Sequence, residues 1–246
     1  MNKMFSLLIF ISSISIFANL SAQNAVRILQ KTDSVINAPI DVKATSVMTI
    51  FSKSGEEQSH RTMQVFQKGA EKRLVRFLSP ADQKGIAFLS LPDNNQILYL
   101  PAFGKTRRIA SHIKNTRFAG TDYTYEDLEA KRYADDWHAI LKEDTREEYV
   151  LSLTPKKGCK TNYSRMDIRI LKSSYFPIEI IFYNKKGVKS KCMKVLEVGN
   201  HKGFVIAKIS EMKDLVGGTS TRTQLQEIDI NIGIPDELFT ERNLLK

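Results

Sequence analysis

Apolar residues alternate with polar ones, or form short continuous runs, through most of the chain after residue 40. Such segments, rich in β-branched and aromatic residues and bounded by turn formers, are typical of β-strands. The predicted strands are Val42–Phe51, Thr62–Gln67, Leu74–Leu78, Ile86–Leu91, Ile97–Leu100, Tyr149–Leu153, Met166–Leu171, Ile178–Tyr183, Met193–Val198, Phe204–Ile209 and Leu225–Ile232. No helical span long enough for a βαβ crossover lies between them. We therefore predict an antiparallel sheet built mostly of hairpins.

Helical patterns are few. Asn24–Asn37 places Val26, Leu29 and Ile36 near one face and is followed by Pro39, which predicts a helix that ends before the proline. Within that segment Asp33 is the polar exception on the apolar face.

Two further short helices are predicted in the second half of the chain. Thr124 and Asp127 have the spacing of a capping box, which predicts a helix from Tyr125 to about Lys131. Near the C-terminus, Pro235 predicts a turn or short helix over the next four residues.

The first residues have the layout of a secretory signal peptide. Lys3 precedes an uncharged apolar stretch, Met4–Phe17, and small or polar residues follow as far as Ala22. An uncleaved anchor is disfavoured because the stretch is short for a bilayer. We expect residues 1–22 to be removed and residues 23–246 to form one domain. The first cysteine is Cys159, so we expect a soluble periplasmic protein that is not lipidated.

Composition narrows the class of protein. With 26% charged and 42% hydrophobic residues, the chain is neither a polytopic membrane protein nor a disordered one. The net charge of +10 favours an anionic partner. An exported protein rarely meets nucleic acid, so the expected anions are lipid headgroups, lipopolysaccharide or acidic proteins. Dispersed charge that serves only solubility is an equal alternative.

Sequence motifs of catalysis are missing. The four histidines do not stand at metal-ligand spacing, and neither a Gly-rich phosphate loop nor a G-x-S-x-G elbow occurs. We expect a protein that is not an enzyme and has no cofactor and no metal site. Cys159 and Cys192 would meet an oxidising compartment, and a disulfide between them depends on whether their strands approach, which the sequence leaves open.

The stretch from Asn94 to Thr121 combines apolar side chains with charge of one sign. It contains no acidic residue and five basic ones: Lys105, Arg107, Arg108, Lys114 and Arg117. This combination suits a ligand with an apolar body and an anionic head. An ordinary strand followed by a solvated basic loop explains the same pattern.

Three runs in the first half of the chain resemble a known family. They are Phe77-Leu78-Ser79-Pro80-Ala81-Asp82 with Gly85-Ile86-Ala87-Phe88-Leu89, then Leu98-Tyr99-Leu100-Pro101-Ala102-Phe103-Gly104-Lys105 with Arg107-Arg108-Ile109-Ala110-Ser111, and Phe118-Ala119-Gly120-Thr121-Asp122-Tyr123-Thr124-Tyr125-Glu126-Asp127-Leu128. Together they resemble the outer-membrane lipoprotein-sorting protein family, a branch of the LolA/LolB-like superfamily. The last run is the most specific.

The resemblance implies an α+β fold: a strongly curved antiparallel sheet, an unclosed half-barrel, with a few helices covering its concave face. It implies a periplasmic carrier, or chaperone, that binds lipoprotein acyl chains or a related lipid in an apolar cavity. An inner-membrane transporter would be the donor and an outer-membrane component the acceptor. The alternative is a lipid-binding accessory or sensor protein of a transporter of the resistance-nodulation-division type, without lipoprotein transfer.

Candidate site residues follow from this reading. Large apolar residues on the early strands are expected to line the cavity, with at most half of them pointing inward: Phe66, Phe77, Phe88, Leu89, Leu98, Leu100 and Phe103. A second set is expected to contact a headgroup, a partner or the covering helices: Arg107, Arg108, Asp122, Tyr125 and Asp127. Ordinary core packing is the alternative for the aromatic residues, and salt bridges to the 122–127 segment are the alternative for the arginines. Relatives hold the cover with an arginine near the end of an early strand, and the 67–73 region offers no single match.

Overall fold

A computed structural model describes residues 23–245, in which thirteen strands form one antiparallel sheet. The strand order is β6-β5-β4-β3-β2-β1-β13-β12-β11-β10-β9-β8-β7, so two meanders, β1–β6 and β7–β13, are joined where β1 pairs with β13. The strands are β1 Asp41–Phe51, β2 Glu57–Lys68, β3 Lys72–Ser79, β4 Ala87–Leu91, β5 Asn95–Leu100, β6 Lys105–Arg108, β7 Trp137–Asp144, β8 Glu148–Pro155, β9 Tyr163–Leu171, β10 Pro177–Asn184, β11 Lys189–His201, β12 Phe204–Asp214 and β13 Ser220–Ile230. The expected signal peptide lies outside the described residues.

The helices are short. α1 covers residues 23–36, α2 is Tyr133–Asp136 and α3 is Glu241–Leu244, with 3-10 turns at Pro101–Phe103 and Asp236–Phe239. The sheet is curled and unclosed, and β6 and β7 are its two edge strands. Because these strands are consecutive in the chain, the residues between them must cross from one edge to the other. That connection runs through residues 109–132, here called the crossing segment, and then through α2. The curved antiparallel sheet with a few helices is confirmed.

Two apolar clusters lie on the face of the sheet that carries α1 and the crossing segment, here called the inner face. In the β7–β12 half, Ile28 and Leu29 of α1 pack on Leu151, Ile168 and their neighbours. In the β2–β5 half, the crossing segment packs on the sheet, and its Tyr123 contacts both clusters. A third cluster lies on the opposite, outer face, where the C-terminal residues 234–244 cover the early strands.

The buried face of α1 differs from the predicted one. Val26 is 42% exposed, whereas Ala25, Ile28 and Leu29 are buried. Asp33 is also buried. Its carboxylate is satisfied there because it accepts hydrogen bonds from the backbone N–H groups of Tyr133 (2.8 Å) and Ala134 (2.7 Å) at the start of α2. Burial raises the pKa of Asp33, and these two hydrogen bonds oppose the rise.

The prediction of a helix from Tyr125 to Lys131 is wrong. Residues 125–128 form successive turns, and no helix is assigned before α2 in that part of the described chain. The box between Thr124 and Asp127 does form: Asp127 Oδ2 accepts from the Thr124 N–H at 2.7 Å. No helix follows this box, because the acidic side chains of residues 126–129 bind separate parts of the structure instead. Strands β6 and β7 are the two that the pattern missed, and both are edge strands.

Candidate functional site: the crossing segment

A tight reversal at residues 118–123 sets the shape of the crossing segment. The Phe118 N–H donates to the Tyr123 carbonyl at 2.8 Å, and Arg117 bridges Thr124 as an isolated antiparallel pair. The reversal places Gly120 at φ +78°, in the left-handed region that glycine adopts without steric cost. The Phe-Ala-Gly-Thr-Asp run therefore encodes a fixed turn that aims Phe118 at the sheet.

Aromatic side chains of the crossing segment fill the inner face of the early strands. Phe118 is 1% exposed and stacks on Phe77, with ring centroids 5.2 Å apart and an angle of 13° between the ring planes. Phe88 lies 6.0 Å from Phe118 and 5.6 Å from Tyr125. With Leu128, these residues form the aromatic layer, which is closed to solvent. The apolar surface of the sheet is thus occupied by the chain's own side chains.

The expected cavity residues divide between the two faces because strand side chains alternate. Phe77, Phe88, Leu98 and Leu100 lie on the inner face beneath the crossing segment. Phe66 and Leu89 lie on the outer face beneath the C-terminal residues, and Phe103 is 71% exposed on a 3-10 turn. The structure brings the first four together and does not bring the other three to them.

Asp122 fastens the crossing segment to β13. Its carboxylate is buried and accepts hydrogen bonds from the hydroxyls of Thr219 (2.6 Å) and Thr221 (2.7 Å). Arg117 bridges Asp122 (3.2 Å) and Asp214 of β12 (2.5 Å). This end of the segment is therefore tied to the middle of the sheet through buried polar contacts.

Asp127 fastens the segment to the second half of the sheet. Its carboxylate forms an ion pair with Lys191 of β11 and accepts a hydrogen bond from the Tyr163 hydroxyl of β9 at 2.7 Å. The side chains of Asp127 and Lys191 are 3% and 10% exposed. Burial alone would raise the pKa of Asp127, but the Lys191 ammonium and the hydrogen bonds from Thr124 and Tyr163 hold it below its usual value.

Two glutamates complete the attachment. Glu126 accepts hydrogen bonds from Thr161 and from both nitrogens of Asn162, in the loop before β9. Glu129 pairs with buried Lys114 at 2.6 Å and accepts from Gln96 of β5. The four acids of the 122–129 run thus attach the crossing segment to four separate places, and we call them the acidic clasp: Asp122, Glu126, Asp127 and Glu129.

Two arginines on early strands hold the backbone of the segment. Arg61 of β2 donates to the Ala119 carbonyl and lies over the Phe77 ring, 5.5 Å from its centroid. Arg73 of β3 donates to the carbonyls of Leu128 (3.4 Å) and Glu129 (3.3 Å). Arginines at early strands therefore do contact the cover, at positions that the sequence did not single out.

The basic residues that pair with the acidic clasp are not the two arginines that were proposed from the sequence. Arg107 and Arg108 are exposed on edge strand β6, and neither forms an ion pair within residues 23–245. Arg117 and Lys191 bind the acids of the clasp instead. Tyr125 belongs to the aromatic layer, where burial raises the pKa of its hydroxyl and Arg107 opposes the rise. Lys191 lies 64 residues from Asp127, so local spacing carries no trace of this pair.

The two cysteines are free and are not brought together. Cys159 lies in the loop between β8 and β9, beside Glu126 and Lys131 of the crossing segment. Cys192 is buried on β11 with its Sγ 3.6 Å from Glu179 Oε1. Burial and the Glu179 carboxylate raise the pKa of the Cys192 thiol to about 11.

Cys192 is expected to resist alkylation. The thiolate is the reactive species, and a pKa of about 11 leaves roughly one thiol in a thousand ionised at pH 8. Timed iodoacetamide labelling at pH 8 with peptide mass mapping should show slow modification of Cys192 in the folded protein. The labelling in denaturant, where the pKa returns to its ordinary value, is the control and should be at least a hundredfold faster. Equal rates in the two conditions would contradict the buried placement.

Two clefts lie beside the crossing segment. One of about 400 Å³ lies between the β4–β5 turn and residues 129–136, and one of about 260 Å³ is lined by Arg117, Asp122 and Lys191 among others. Across residues 23–245, no set of three or more His, Cys, Asp or Glu side chains is arranged to hold a metal ion. None of the helices in that range is long and apolar enough to cross a membrane.

Several solved structures share this architecture. A domain of an outer membrane lipoprotein-sorting protein from Vibrio parahaemolyticus is 25% identical with a TM-score of 0.83, and the match covers 92% of this chain and 100% of that one. A DUF1329 family protein from Desulfovibrio piger is 23% identical with a TM-score of 0.84, covering 91% and 99%. A LolA superfamily protein from Nitrosomonas europaea is 21% identical with a TM-score of 0.74, covering 91% and 99%.

Comparison at the level of sequence gives a match to a family model. No curated protein matches the chain. A family model described as "Uncharacterized protein" matches residues 69–246, which include the aromatic layer, the whole crossing segment and the acidic clasp. By that match, the chain belongs to the family that this model describes. Its resemblance to an outer membrane lipoprotein-sorting domain and to a LolA superfamily protein is confirmed at the level of the fold.

Proposed function

We propose that the protein is a periplasmic carrier that binds the acyl chains of lipoproteins, or of a related lipid, beneath the crossing segment. The observation that carries the proposal is the pairing of an apolar sheet surface with a separate cover. Phe77, Phe88 and Leu98 of the sheet are buried by Phe118 and Tyr125 of the segment, while polar contacts fix the segment at its margins. An acyl chain would replace the segment's side chains on the same surface.

The energetics favour such an exchange over an open cavity. An acyl chain costs about 0.8 kcal/mol per CH₂ when it leaves an apolar environment for water. A carrier must therefore keep its apolar surface covered when empty and expose it only to cargo. The aromatic layer, with Phe77 and Phe88 at 0% exposure, provides that cover.

The cover takes no part in the strand pairing of the sheet. Ion pairs, hydrogen bonds and the aromatic layer hold it, and the sheet is continuous without it because each strand from β1 to β13 is paired within the sheet. Movement of the crossing segment would break the acidic clasp and the contacts from Arg61 and Arg73. Delivery from an inner-membrane transporter to an outer-membrane acceptor is part of the proposal, and the similarity to the lipoprotein-sorting domain from Vibrio parahaemolyticus supports it.

Acyl-dependent binding is the test. Native mass spectrometry of residues 23–246 with a triacylated lipopeptide should show a one-to-one adduct, and the same peptide without acyl chains should show none. Bound cargo should also speed hydrogen exchange in residues 118–128, because the segment must leave the sheet. No acyl-dependent adduct, or an adduct with unchanged protection of that segment, would overturn the proposal.

A further inference from the structure

Two neighbouring turns expose aliphatic side chains at one end of the sheet. Residues 185–188 join β10 to β11, and residues 215–218 form the turn in the connection from β12 to β13; we call these two turns the twin-turn surface. They are adjacent because the Leu215 N–H donates to the Ser190 carbonyl at 2.9 Å. Val188 is 53% exposed, Leu215 41% and Val216 73%. Neither turn places these side chains in any of the three apolar clusters.

Side-chain hydrogen bonds fix both turns. Asp214 Oδ1 accepts from the backbone N–H groups of Val216 (2.9 Å) and Gly217 (2.8 Å). Asn184 Oδ1 accepts from those of Lys186 (2.9 Å) and Val188 (3.1 Å). Single exposed apolar residues are ordinary on protein surfaces. Here three exposed apolar side chains lie on two adjacent turns, and side-chain hydrogen bonds fix the backbone of both turns. They therefore form a local apolar surface of defined shape.

Uncompensated positive charge surrounds these side chains. Lys185, Lys186, Lys189 and Lys213 are exposed, and no carboxylate of the described chain lies in ion-pair distance of any of them. The net charge of the chain is +10. The twin-turn surface therefore combines exposed apolar side chains with four nearby lysines that have no carboxylate partner in the described part of the chain.

The nearby carboxylates do not neutralise these lysines. Each is already engaged by another cation: Glu179 by Arg169 and Lys194, Glu211 by Arg222, and Asp214 by Arg117. The lysine charges are therefore available to an anionic partner.

We propose that the twin-turn surface docks on the surface of an anionic lipid bilayer. The aliphatic tips would enter the headgroup region, and the lysines would meet lipid phosphates, which is the combination of forces that holds peripheral proteins on membranes. Protruding turns with free lysines fit a bilayer better than a protein partner, whose anchors need a matching pocket.

The location of this surface connects docking to the crossing segment. Asp214, which braces the turn at 215–218, is paired with Arg117 of the segment at 2.5 Å. A docked protein would therefore hold its cover next to the bilayer. The inference that cargo passes at this point rests on the proposed function, whereas docking itself does not require cargo.

Vesicle co-sedimentation of the unloaded protein tests docking. At low salt the protein should bind vesicles of phosphatidylglycerol and phosphatidylethanolamine and not vesicles of phosphatidylcholine. The double variant Lys185→Ser/Lys186→Ser should weaken binding by roughly tenfold or more, since each lysine contributes about a fivefold factor near an anionic surface. The double variant Val188→Ser/Val216→Ser should weaken it by roughly tenfold and leave the salt dependence unchanged.

Matched controls lie elsewhere on the sheet. Arg146→Ser/Lys202→Ser removes two exposed charges from turns at the opposite end, and Ile140→Ser removes an apolar side chain that is 62% exposed on β7. Both should bind vesicles as the unmodified protein does. An equal loss in the controls would reduce the effect to dispersed charge and overturn the proposal, as would an absence of vesicle binding by the unmodified protein.

The same variants separate docking from cargo binding. Turn variants that lose vesicle binding but keep the acylated-peptide adduct support docking as a distinct property. Vesicle binding without any peptide adduct would leave docking standing and overturn the carrier function alone.

Discussion

Replacing Asp127 with asparagine is expected to lower the free energy of unfolding by about 3–5 kcal/mol. The substitution removes one charge of a buried pair and leaves the Lys191 ammonium buried without a counter-ion, which costs far more than the net value of the intact pair. The side chains of Asp127 and Lys191 are 3% and 10% exposed, so water cannot replace the lost carboxylate without rearrangement. Urea denaturation at pH 7 measures the change.

The matched control for this variant is Asp229→Asn. Asp229 forms a pair of the same charge type with Lys43, but at 3.9 Å and with side chains that are 54% and 39% exposed. Exposed pairs contribute roughly 0–1 kcal/mol, so the control should unfold almost as the unmodified protein does. Equal effects of the two substitutions would show that Lys191 is solvated and that the clasp is not buried.

The pH dependence gives an independent reading of the same pair. The pKa of Asp127 is lowered in the folded protein, so the unfolded chain binds the proton more readily as the pH falls. The stability contributed by the ionised carboxylate is therefore complete above its ordinary pKa of 3.8 and is lost as the pH falls through the lower, folded value. The difference in stability between Asp127→Asn and the unmodified protein should accordingly narrow at acid pH.

Local sequence patterns predicted most strands of the sheet correctly, but they predicted few of the contacts that the crossing segment makes. Eleven strands were predictable because apolar alternation is a property of neighbouring residues. Strand β6, with the sequence Lys-Thr-Arg-Arg, has no apolar face of its own and forms only as a partner of β5. The position of Phe66 and Leu89 on the outer face was open because the C-terminal residues that bury them arrive more than 140 residues later.

The acidic clasp illustrates what one sequence contains and what it omits. The spacing of Thr124 and Asp127 predicted a local hydrogen bond that does form. The same acids suggested a helix, because their distant partners on β9, β11 and β13 were not visible in the local pattern. Tertiary contacts overrode a weak helical preference here. The resemblance to a family marked this run as distinctive, and the contacts supply the physical reason.

Replacing Phe118 with alanine is expected to strengthen the binding of an acyl ligand by roughly a hundredfold or more. Phe118 is 1% exposed, stacks on Phe77 and occupies the surface on which the proposed cargo would lie. Truncation of a buried phenylalanine costs about 3–5 kcal/mol. That loss falls on the closed arrangement of the crossing segment. The open fraction, and with it the apparent affinity, rises tenfold for each 1.4 kcal/mol.

Phe239→Ala is the matched control for that substitution. Phe239 is 3% exposed, but it belongs to the outer-face cluster with Leu74 and Ile97, away from the crossing segment. Its truncation should lower global stability by a similar amount and leave ligand affinity unchanged. Titration of a fluorescent acyl probe, with circular dichroism to verify that each variant is folded, distinguishes the two. If Phe118→Ala bound the probe more weakly than the unmodified protein, its ring would be part of the ligand site rather than a competitor for it. If both variants gained affinity equally, general loosening of the fold would replace the cover as the explanation.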